Sequence, residues 1–421
     1  MGRKTQVSRA RPGPPTHLES GGAAVFRESV SVASPKIFLS AGEASGEHYG
    51  ALLMAEISRL APRADFFGLG GTRMAAAGLR RVVRAEDVAV MGITEVILHM
   101  PHVYREYRRL KASLRAERPD LAILIDFPDV NLSLAAELRR LNIPVVYFVS
   151  PQLWAWKKWR LRGVKRNVTR MLVIFPFEED FYRSHGIAAD FVGHPLADLD
   201  PPTVTREAFA RENDLDASKF WVGLLPGSRF RELKANLPPM LEAARLLGPG
   251  YEFLLPVAPT LKDAQVKALA GPAKVVHDAR AVLQHARASV VASGTATVEA
   301  ALIGNPFVVV YRVSRITYAV AKRVVRVAHV GMVNLIAGRR IVPELIQHDF
   351  TASKVVEQLR PLLENQDARA TMQSDLRSVG AALKVSREGA IEHAARIALA
   401  LIPAAESPRL QSALIPSWPV E

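Results

Sequence analysis

Residues 220–229, Phe-Trp-Val-Gly-Leu-Leu-Pro-Gly-Ser-Arg, form an apolar run that ends in a turn of small residues and an arginine. Residues 289–299, Ser-Val-Val-Ala-Ser-Gly-Thr-Ala-Thr-Val-Glu, follow the same order and lead into a helical run. Each stretch predicts a strand, a tight turn and a helix. Free backbone N–H groups and the positive end of a helix dipole meet at such a turn, which favours a bound phosphate. For either stretch alone, an ordinary strand–helix turn is the alternative.

Side chains of the two turns strengthen this hypothesis. The guanidinium of Arg229 can bind a phosphate through two hydrogen bonds, and Glu299 follows the second turn where a ribose could be held. Neither turn has the lysine of a Walker P-loop or the three glycines of a dinucleotide fingerprint. We therefore predict a site for a nucleotide diphosphate, formed by Gly227, Ser228, Arg229, Ser293, Gly294, Thr295, Thr297 and Glu299.

Short apolar strands alternate with helices on both sides of these turns. This alternation predicts an α/β fold with parallel sheets covered by helices on both faces. The pattern restarts after a proline-marked polar break at residues 198–203, so we predict two Rossmann-like doubly wound domains that face each other across a cleft. Helices are expected to start near Glu47, His102 and Leu132. The strands are predicted at residues 36–39, 66–69, 121–125, 145–149, 171–174, 191–192, 220–225, 253–256, 274–276, 289–291 and 307–311.

Length and charge limit the possible functions. A chain of 421 residues usually forms more than one domain. The net charge of +14 indicates an anionic partner, and the absence of cysteine fits a reducing compartment. We expect no metal site, because no two histidines have the spacing of a helical metal site, and no membrane span. The predicted segments are a disordered basic extension (1–35), an N-terminal domain (36–199), a C-terminal domain (200–375), helices that pack back (376–403) and a flexible tail (404–421).

Two polar segments in the first half carry candidate catalytic groups. Asp126 follows an apolar strand, and a carboxylate at the carboxyl end of a parallel strand is well placed to act as a general base. Alternatively, Asp126 and Asp129 cap the next helix, a role that suits Asp129 better. In the segment 40–47, Glu43 can point into the cleft, and Ser45 is either part of the site or a helix cap.

Residues 150–160 contain three of the five tryptophans of the chain, interleaved with lysine and arginine. Such a segment is typical of an RNA-stacking platform, a membrane-interface belt or a packed corner. Composition alone leaves these three alternatives open.

Together these segments resemble the lipid-A-disaccharide synthase family, inverting glycosyltransferases of the GT-B fold (family 19). The resemblance spans roughly residues 36–400, with Glu47 where the family usually has Asp and Phe127 where it usually has Ala. The motifs that carry it are residues 41–46, 90–96, 126–129, 150–151 with 154–156, 176–178, 193–195, 225–229 with Glu232, 293–297 with Glu299, and 334–335 with 343–345.

The resemblance implies transfer of 2,3-diacylglucosamine from a UDP-linked donor to the 6-hydroxyl of 2,3-diacylglucosamine 1-phosphate. It implies Asp126 as the catalytic base, Glu299 and Asn334 on the nucleotide side, and Glu43 and Ser45 in the sugar cleft, with Gln347 as a further candidate. It also implies no cofactor or metal, a homodimer, and a peripheral location on the cytoplasmic face of the inner membrane.

Acylated substrates require a lipid surface. Residues 91–100 are apolar enough to enter one, and a helix predicted after Pro101 aligns Val103, Tyr107, Leu110 and Leu114 between arginines. The alternative is that this face packs against the sheet.

Two rival functions remain from the sequence. One is another UDP-sugar enzyme of the same architecture, such as a UDP-N-acetylglucosamine 2-epimerase or a membrane-linked N-acetylglucosaminyltransferase. The other is a basic RNA-binding protein, which would leave the two phosphate turns and Asp126 without a role.

Overall fold

The structure is a computed structural model that describes residues 34–88, 93–314, 317–318, 322, 328–385 and 388–402, with only the backbone of residues 93–100. Most of the predicted basic extension and all of the predicted tail lie outside these residues. So do residues 91–92 of the predicted lipid-facing segment and the side chains of its remaining residues.

The described residues form two parallel β-sheets. In the first, the strand order is β3-β2-β1-β4-β5-β6-β7, and in the second it is β10-β9-β8-β11-β12-β13, with parallel pairing throughout. The predicted α/β fold with two doubly wound parallel sheets is confirmed. The strands are β1 (Lys36–Ala41), β2 (Asp65–Gly70), β3 (Arg80–Arg84), β4 (Leu121–Ile125), β5 (Val145–Phe148), β6 (Arg170–Val173), β7 (Ala189–Phe191), β8 (Phe220–Leu225), β9 (Tyr251–Pro256), β10 (Lys274–Val276), β11 (Ala288–Ala292), β12 (Phe307–Tyr311) and β13 (Glu344–Ile346).

Helices follow most strands and cover both faces of the sheets, so central strands such as β4 are fully buried and read as continuous apolar runs. The helices are α1 (Ala44–Leu60), α2 (Thr72–Ala76), α3 (Ala85–Val88), α4 (Ile93–Glu117), α5 (Pro128–Arg140), α6 (Leu161–Asn167), α7 (Pro176–Ser184), α8 (Arg206–Glu212), α9 (Phe230–Leu247), α10 (Asp263–Lys267), α11 (Ala279–His285), α12 (Thr295–Ile303), α13 (Met332–Ala337), α14 (Ala352–Glu364), α15 (Gln366–Ala382) and α16 (Ala390–Leu399).

Sequence patterns located the buried strands well and missed two edge strands. The predicted bounds of β4, β8, β10 and β12 agree with the structure residue for residue. Both missed strands, β3 and β13, lie at sheet edges. Strand β3 contains three arginines, and β13 has only three residues. Edge strands that are charged or short lack the apolar run by which a strand is recognised.

Three helix starts were predicted too late. Helix α1 begins at Ala44 and α5 at Pro128, a favoured first helical residue. Helix α4 begins at Ile93 and runs through Pro101, so the prediction of a helix beginning after this proline is wrong.

The N-cap residues of α1 and α5 are Glu43 and Phe127, and neither makes a side-chain cap bond. The capping alternatives for Ser45 and Asp129 are therefore wrong as well.

Packing decides one of the open alternatives and part of another. On α4, Leu110 and Leu114 are buried in the core beneath the first sheet, so this part of the helix packs against the sheet. In the tryptophan segment, Trp154 is packed, and its indole nitrogen donates a hydrogen bond to Glu178. Trp156 and Trp159 are 40% and 68% exposed, so packing does not account for them.

Chain crossings in the two sheets create a crevice in each. Strand β1 lies between β2 and β4, and β8 lies between β9 and β11, so successive crossovers run in opposite directions from these strands. Loops that leave the carboxyl ends of the strands on either side of such a switch point diverge and leave room for a ligand. The loops after β1, β4, β8 and β11 are the segments that the sequence singled out.

The last helix ties the C-terminal part of the chain to the first half. Helix α16 packs on α1, the Asp198 carboxylate accepts a hydrogen bond of 2.6 Å from the N–H of Ala390, and Arg59 pairs with Glu392 at 3.2 Å. Helix α15 crosses residue 375, where a domain boundary was predicted. The domain boundaries stay predictions.

Candidate active site

A cleft of about 1280 Å³ lies where the loops from the two sheets meet. It is lined by residues that follow β1, β4, β8, β9, β10 and β11, the arrangement expected at paired switch points. The described lining consists of Gly42, Glu43, Ala44, Ser45, Val88, Val103, Asp126, Phe127, Asp129, Val130, Leu225, Pro226, Gly227, Ser228, Arg229, Glu232, Pro256, Val257, Ala258, Pro259, Thr260, His277, Asp278, Ala279, Ala292, Ser293, Gly294, Thr295, Ala296, Glu299 and Tyr311.

Asp126 lies directly after β4 in a left-handed backbone conformation. Its φ is +47° and that of Phe127 is +48°, a conformation that costs energy for residues other than glycine. Hydrogen bonds hold the turn: the Asp126 carbonyl accepts from the Tyr147 hydroxyl at 2.6 Å and from the Asn131 amide at 2.7 Å. The surrounding structure thus fixes the backbone from which the carboxylate reaches the cleft.

The Asp126 carboxyl is a weak acid for an aspartate. Burial raises its pKa to about 6, and the nearby charge of Glu43 adds to the rise, while a backbone hydrogen bond from Phe127 and the charge of Arg229 oppose it. A carboxylate with this pKa is ionised at neutral pH and binds a proton more strongly than an ordinary aspartate.

Two close contacts join the loops after β1 and β4. The ring of Phe127 lies so near Gly42 that a Cβ on Gly42 would come within 2.4 Å of it. Beneath them, the hydroxyl of buried Ser40 donates to the Asn131 side chain at 2.6 Å. Glycine at position 42 is thus required for the two loops to pack together.

One ion pair connects the two sides of the cleft. Arg229, after β8, lies 3.6 Å from Glu43, after β1, and 3.3 Å from Glu232 on α9. Its guanidinium is 70% exposed, so the side chain is available to an anion in the cleft. Arg229 is the one lysine or arginine among the described residues that line the cleft.

The two predicted anion turns differ in how their N–H groups are used. After β8, the N–H groups of Ser228 and Arg229 donate to the Glu232 carboxylate at 3.1 and 3.3 Å, so these two amides already hold an anion. After β11, Thr295 and Ala296 begin helix α12, and the first residues of a helix have no intrahelical acceptor. Their N–H groups, at the lining of the cleft, are the better cradle for a phosphate.

Glu299 lies on the first turns of α12 with its carboxylate 3.7 Å from the Arg280 guanidinium. Burial raises its pKa, an effect that Arg280 opposes and Asp278 reinforces. It lines the cleft beside Ser293 and Gly294, whose φ of +153° is strained for any residue with a side chain.

Most predicted site residues therefore lie together. Glu43, Ser45, Gly227, Ser228, Gly294, Ser293, Thr295, Glu299, Arg229 and Asp126 all line the cleft.

Three predicted binding residues do not belong to the described lining. Thr297 is fully buried and donates to the Gly294 carbonyl, and the Gln347 side chain bonds both backbone groups of Val313. Asn334, also fully buried, accepts from two backbone N–H groups and donates to Glu344. These side chains hold neighbouring backbone in place, which is how a buried amide or hydroxyl is normally satisfied.

Several lining residues were not predicted as parts of the site. His277 and Asp278 follow β10, residues 257–260 follow β9, and Glu232 fills the β8 turn. The signal was available for the loop residues, because the loops after every predicted strand end at the same edge of a parallel sheet, and for Glu232, because it belongs with the motif of residues 225–229. The position of the Glu232 carboxylate depends on its rotamer, which a sequence does not reveal.

Among the described residues, no group of three or more His, Cys, Asp or Glu side chains is arranged to hold a metal ion. The predicted lack of a metal requirement stays a prediction.

Comparison with known proteins agrees with this geometry. The profile of the Lipid-A-disaccharide synthetase family matches residues 37–398. A lipid-A-disaccharide synthase of Acidobacterium capsulatum is 59% identical over 383 residues, 87% of this chain and 96% of that protein. One of Koribacter versatilis is 48% identical over 87% of this chain and 98% of its own length.

Among solved structures, the glycotransferase of kitacinnamycin superposes with a TM-score of 0.58 at 15% identity, covering 88% of this chain and all of that one. This likeness shows a shared glycosyltransferase fold. The family profile spans both sheets, the cleft and helix α16, and the chain belongs to the lipid-A-disaccharide synthetase family of glycosyltransferases.

Proposed function

We propose that this protein transfers 2,3-diacylglucosamine from its UDP conjugate to the 6-hydroxyl of 2,3-diacylglucosamine 1-phosphate, releasing UDP. Family membership supports this substrate pair over the epimerase and N-acetylglucosaminyltransferase alternatives, which share only the fold. The observation that carries the proposal is the cleft itself, where Asp126 from one sheet faces Arg229 and the α12 amides from the other.

Asp126 acts as the general base in the proposed reaction. Its carboxylate takes the proton of the 6-hydroxyl while that oxygen bonds to the anomeric carbon of the donor. The bond from this carbon to the UDP oxygen breaks, and attack from the opposite face inverts the configuration. Positive charge that develops on the sugar in the transition state is also stabilised by a nearby carboxylate.

Arg229 and the N–H groups of Thr295 and Ala296 stabilise the departing UDP. Negative charge builds up on its diphosphate, and fixed donors aimed at such charge lower the barrier without a metal ion. In the free enzyme Arg229 is paired with Glu43 and Glu232, so the diphosphate takes over a cation that is already positioned.

We further propose that the enzyme acts at an anionic membrane surface. In the part of the chain that the structure describes, no helix is both long and apolar enough to cross a bilayer. Exposed Trp156 and Trp159 flank Lys158 on the segment before α6, and Tyr104 is 62% exposed on α4. Indole rings beside cations suit the headgroup region of a membrane. The homodimer and the inner-membrane location that the family resemblance implies stay predictions.

Asp126→Asn is expected to reduce turnover by about 100- to 10,000-fold, because the amide cannot accept the proton. The measurement is UDP release from purified enzyme, both acylated substrates and a chelator, with unacylated UDP-glucosamine as the comparison donor. UDP binding by the variant should equal that of the wild type. Turnover of the unacylated donor alone, or a fully active variant, would contradict the proposed function.

The pH profile is expected to report the ionised form of Asp126. Because the base works only when deprotonated, kcat/KM should fall about tenfold per pH unit below a pKa of about 6. Glu43 raises this pKa, so Glu43→Gln should move the acidic limb to lower pH. Glu207→Gln, at an exposed position of α8, is the control and should leave the limb in place. If the acidic limb of the pH profile is at the same pH in Glu43→Gln as in the wild type, Asp126 is not the titrating base.

Arg229→Ala is expected to weaken UDP binding by about 10- to 100-fold, the usual worth of a charge-assisted hydrogen bond to phosphate. Isothermal titration with UDP measures the change. Arg231→Ala removes an exposed arginine of α9 that lies outside the cleft lining and should bind UDP normally. Equal affinity in the Arg229 variant and the wild type would remove this residue from the site.

Trp159→Ser is expected to reduce binding to phosphatidylglycerol vesicles several-fold, because the indole no longer enters the headgroup region. Co-sedimentation at fixed salt measures it, and Phe220→Ser, which removes another exposed aromatic ring, is the control. Unchanged vesicle binding, or a loss of RNA binding in place of vesicle binding, would contradict the proposed membrane role of this segment.

A further inference from the structure

Two cations lie behind Asp129, a carboxylate that lines the first-half side of the cleft, although neither cation belongs to the described lining itself. Lys157 and Arg160 belong to the turn between β5 and α6, and both face the carboxylate of Asp129, at 3.9 Å and 2.5 Å. Their side chains are only 22% and 25% exposed, whereas that of Asp129 is 70% exposed and lines the cleft. The cations are therefore held in place beneath a carboxylate that is open to ligands.

The rest of this side of the cleft is acidic. Among the described lining residues from the first half of the chain, Glu43, Asp126 and Asp129 are carboxylates and none is lysine or arginine. An acceptor that carries a phosphate would be repelled here unless cations lay close by. Arg229 cannot fill this role in the proposed reaction, because the donor diphosphate occupies it.

Arg160 also lies near the catalytic carboxylate. The Tyr147 hydroxyl donates to the Asp126 carbonyl, and the charges of Asp126, Asp129 and Arg160 all act on this one hydroxyl, whose pKa burial raises. The 6-hydroxyl and the 1-phosphate belong to a single glucosamine ring. The phosphate must therefore bind within one ring of Asp126. Arg160 lies on this side of the cleft, close enough to Tyr147 for its charge to act on the hydroxyl that bonds Asp126.

Arg160 retains the donors that a phosphate needs. Among the described residues, only its Nη2 has an acceptor, the Oδ1 of Asp129. The remaining N–H groups of a guanidinium form a fork that matches two phosphate oxygens, and the lysine supplies a compact second charge. The Lys157 ammonium also lies 4.1 Å from the centre of the Trp156 ring, which fixes its direction.

From these observations we propose that Lys157 and Arg160 form the subsite for the 1-phosphate of the acceptor. This assignment rests on the proposed function. Asp129 pairs with both cations, and a bound phosphate would share them with it. The pair thereby selects a sugar phosphate over a neutral sugar and orients the opposite end of the ring towards Asp126.

The test compares two acceptors that differ only at this end of the sugar. The natural acceptor and the same diacylglucosamine with a 1-O-methyl group are assayed in neutral detergent micelles, which removes the charge of a membrane. Wild-type enzyme should prefer the phosphate. Arg160→Gln should lower kcat/KM for the phosphorylated acceptor about 10- to 100-fold and leave the methyl glycoside and UDP affinity unchanged.

Arg139→Gln, which removes an exposed arginine at the far end of α5, is the matched control and should keep the wild-type preference. Thermal unfolding shows whether each variant is folded. If Arg160→Gln does not fold, Lys157→Gln is used in the same test. An equal loss for both acceptors would mean that Arg160 only supports the turn, and no loss for either would also overturn the inference. A wild type that uses neither acceptor would instead refute the proposed function.

Discussion

Parallel strand pairing is the constraint on which the site depends. All strands of a parallel sheet end at one edge, and the order of crossovers opens a gap between neighbouring loops at β1–β4 and again at β8–β11. Asp126 and Arg229, separated by more than 100 residues in sequence, come to one cleft only because both sheets present this edge to it. Substrate contacts therefore come from loops, while the buried strands hold those loops in position.

The second constraint is charge. The chain carries a net +14, yet the cleft is lined by more carboxylates than cations. Burial and the neighbouring Glu43 keep the Asp126 proton affinity high, whereas Glu43 and Glu232 hold Arg229 in place. Acidic groups thus raise the pKa of one carboxylate and orient one cation in the same cleft, as the proposed proton transfer and diphosphate release require.

Sequence patterns predicted the layered fold and the four central loops, and most of the predicted site residues line the cleft, because apolar runs and small-residue turns reflect backbone geometry directly. Sequence patterns do not show how side chains pack. Thr297, Asn334 and Gln347 are predicted binding residues, yet each side chain is buried against neighbouring groups outside the described lining of the cleft, and their binding role stays a prediction. The edge strands β3 and β13 contain too few apolar residues to be recognised. The start of α5 depends on a left-handed backbone conformation at Phe127, which the sequence does not indicate because phenylalanine rarely adopts it.

Glu232 uses hydrogen-bond donors that the sequence assigns to a phosphate. Its carboxylate accepts the Ser228 and Arg229 amides and also pairs with the Arg229 guanidinium, so one side chain uses the donors expected for a phosphate. A nucleotide that bound at this turn would have to displace it and leave a carboxylate beside a diphosphate, an arrangement that like charges oppose. The turn after β11 has no such occupant among the described residues. In the proposed reaction, the α12 amides are therefore better placed than the β8 turn to hold the diphosphate, with Arg229 contributing from its own loop.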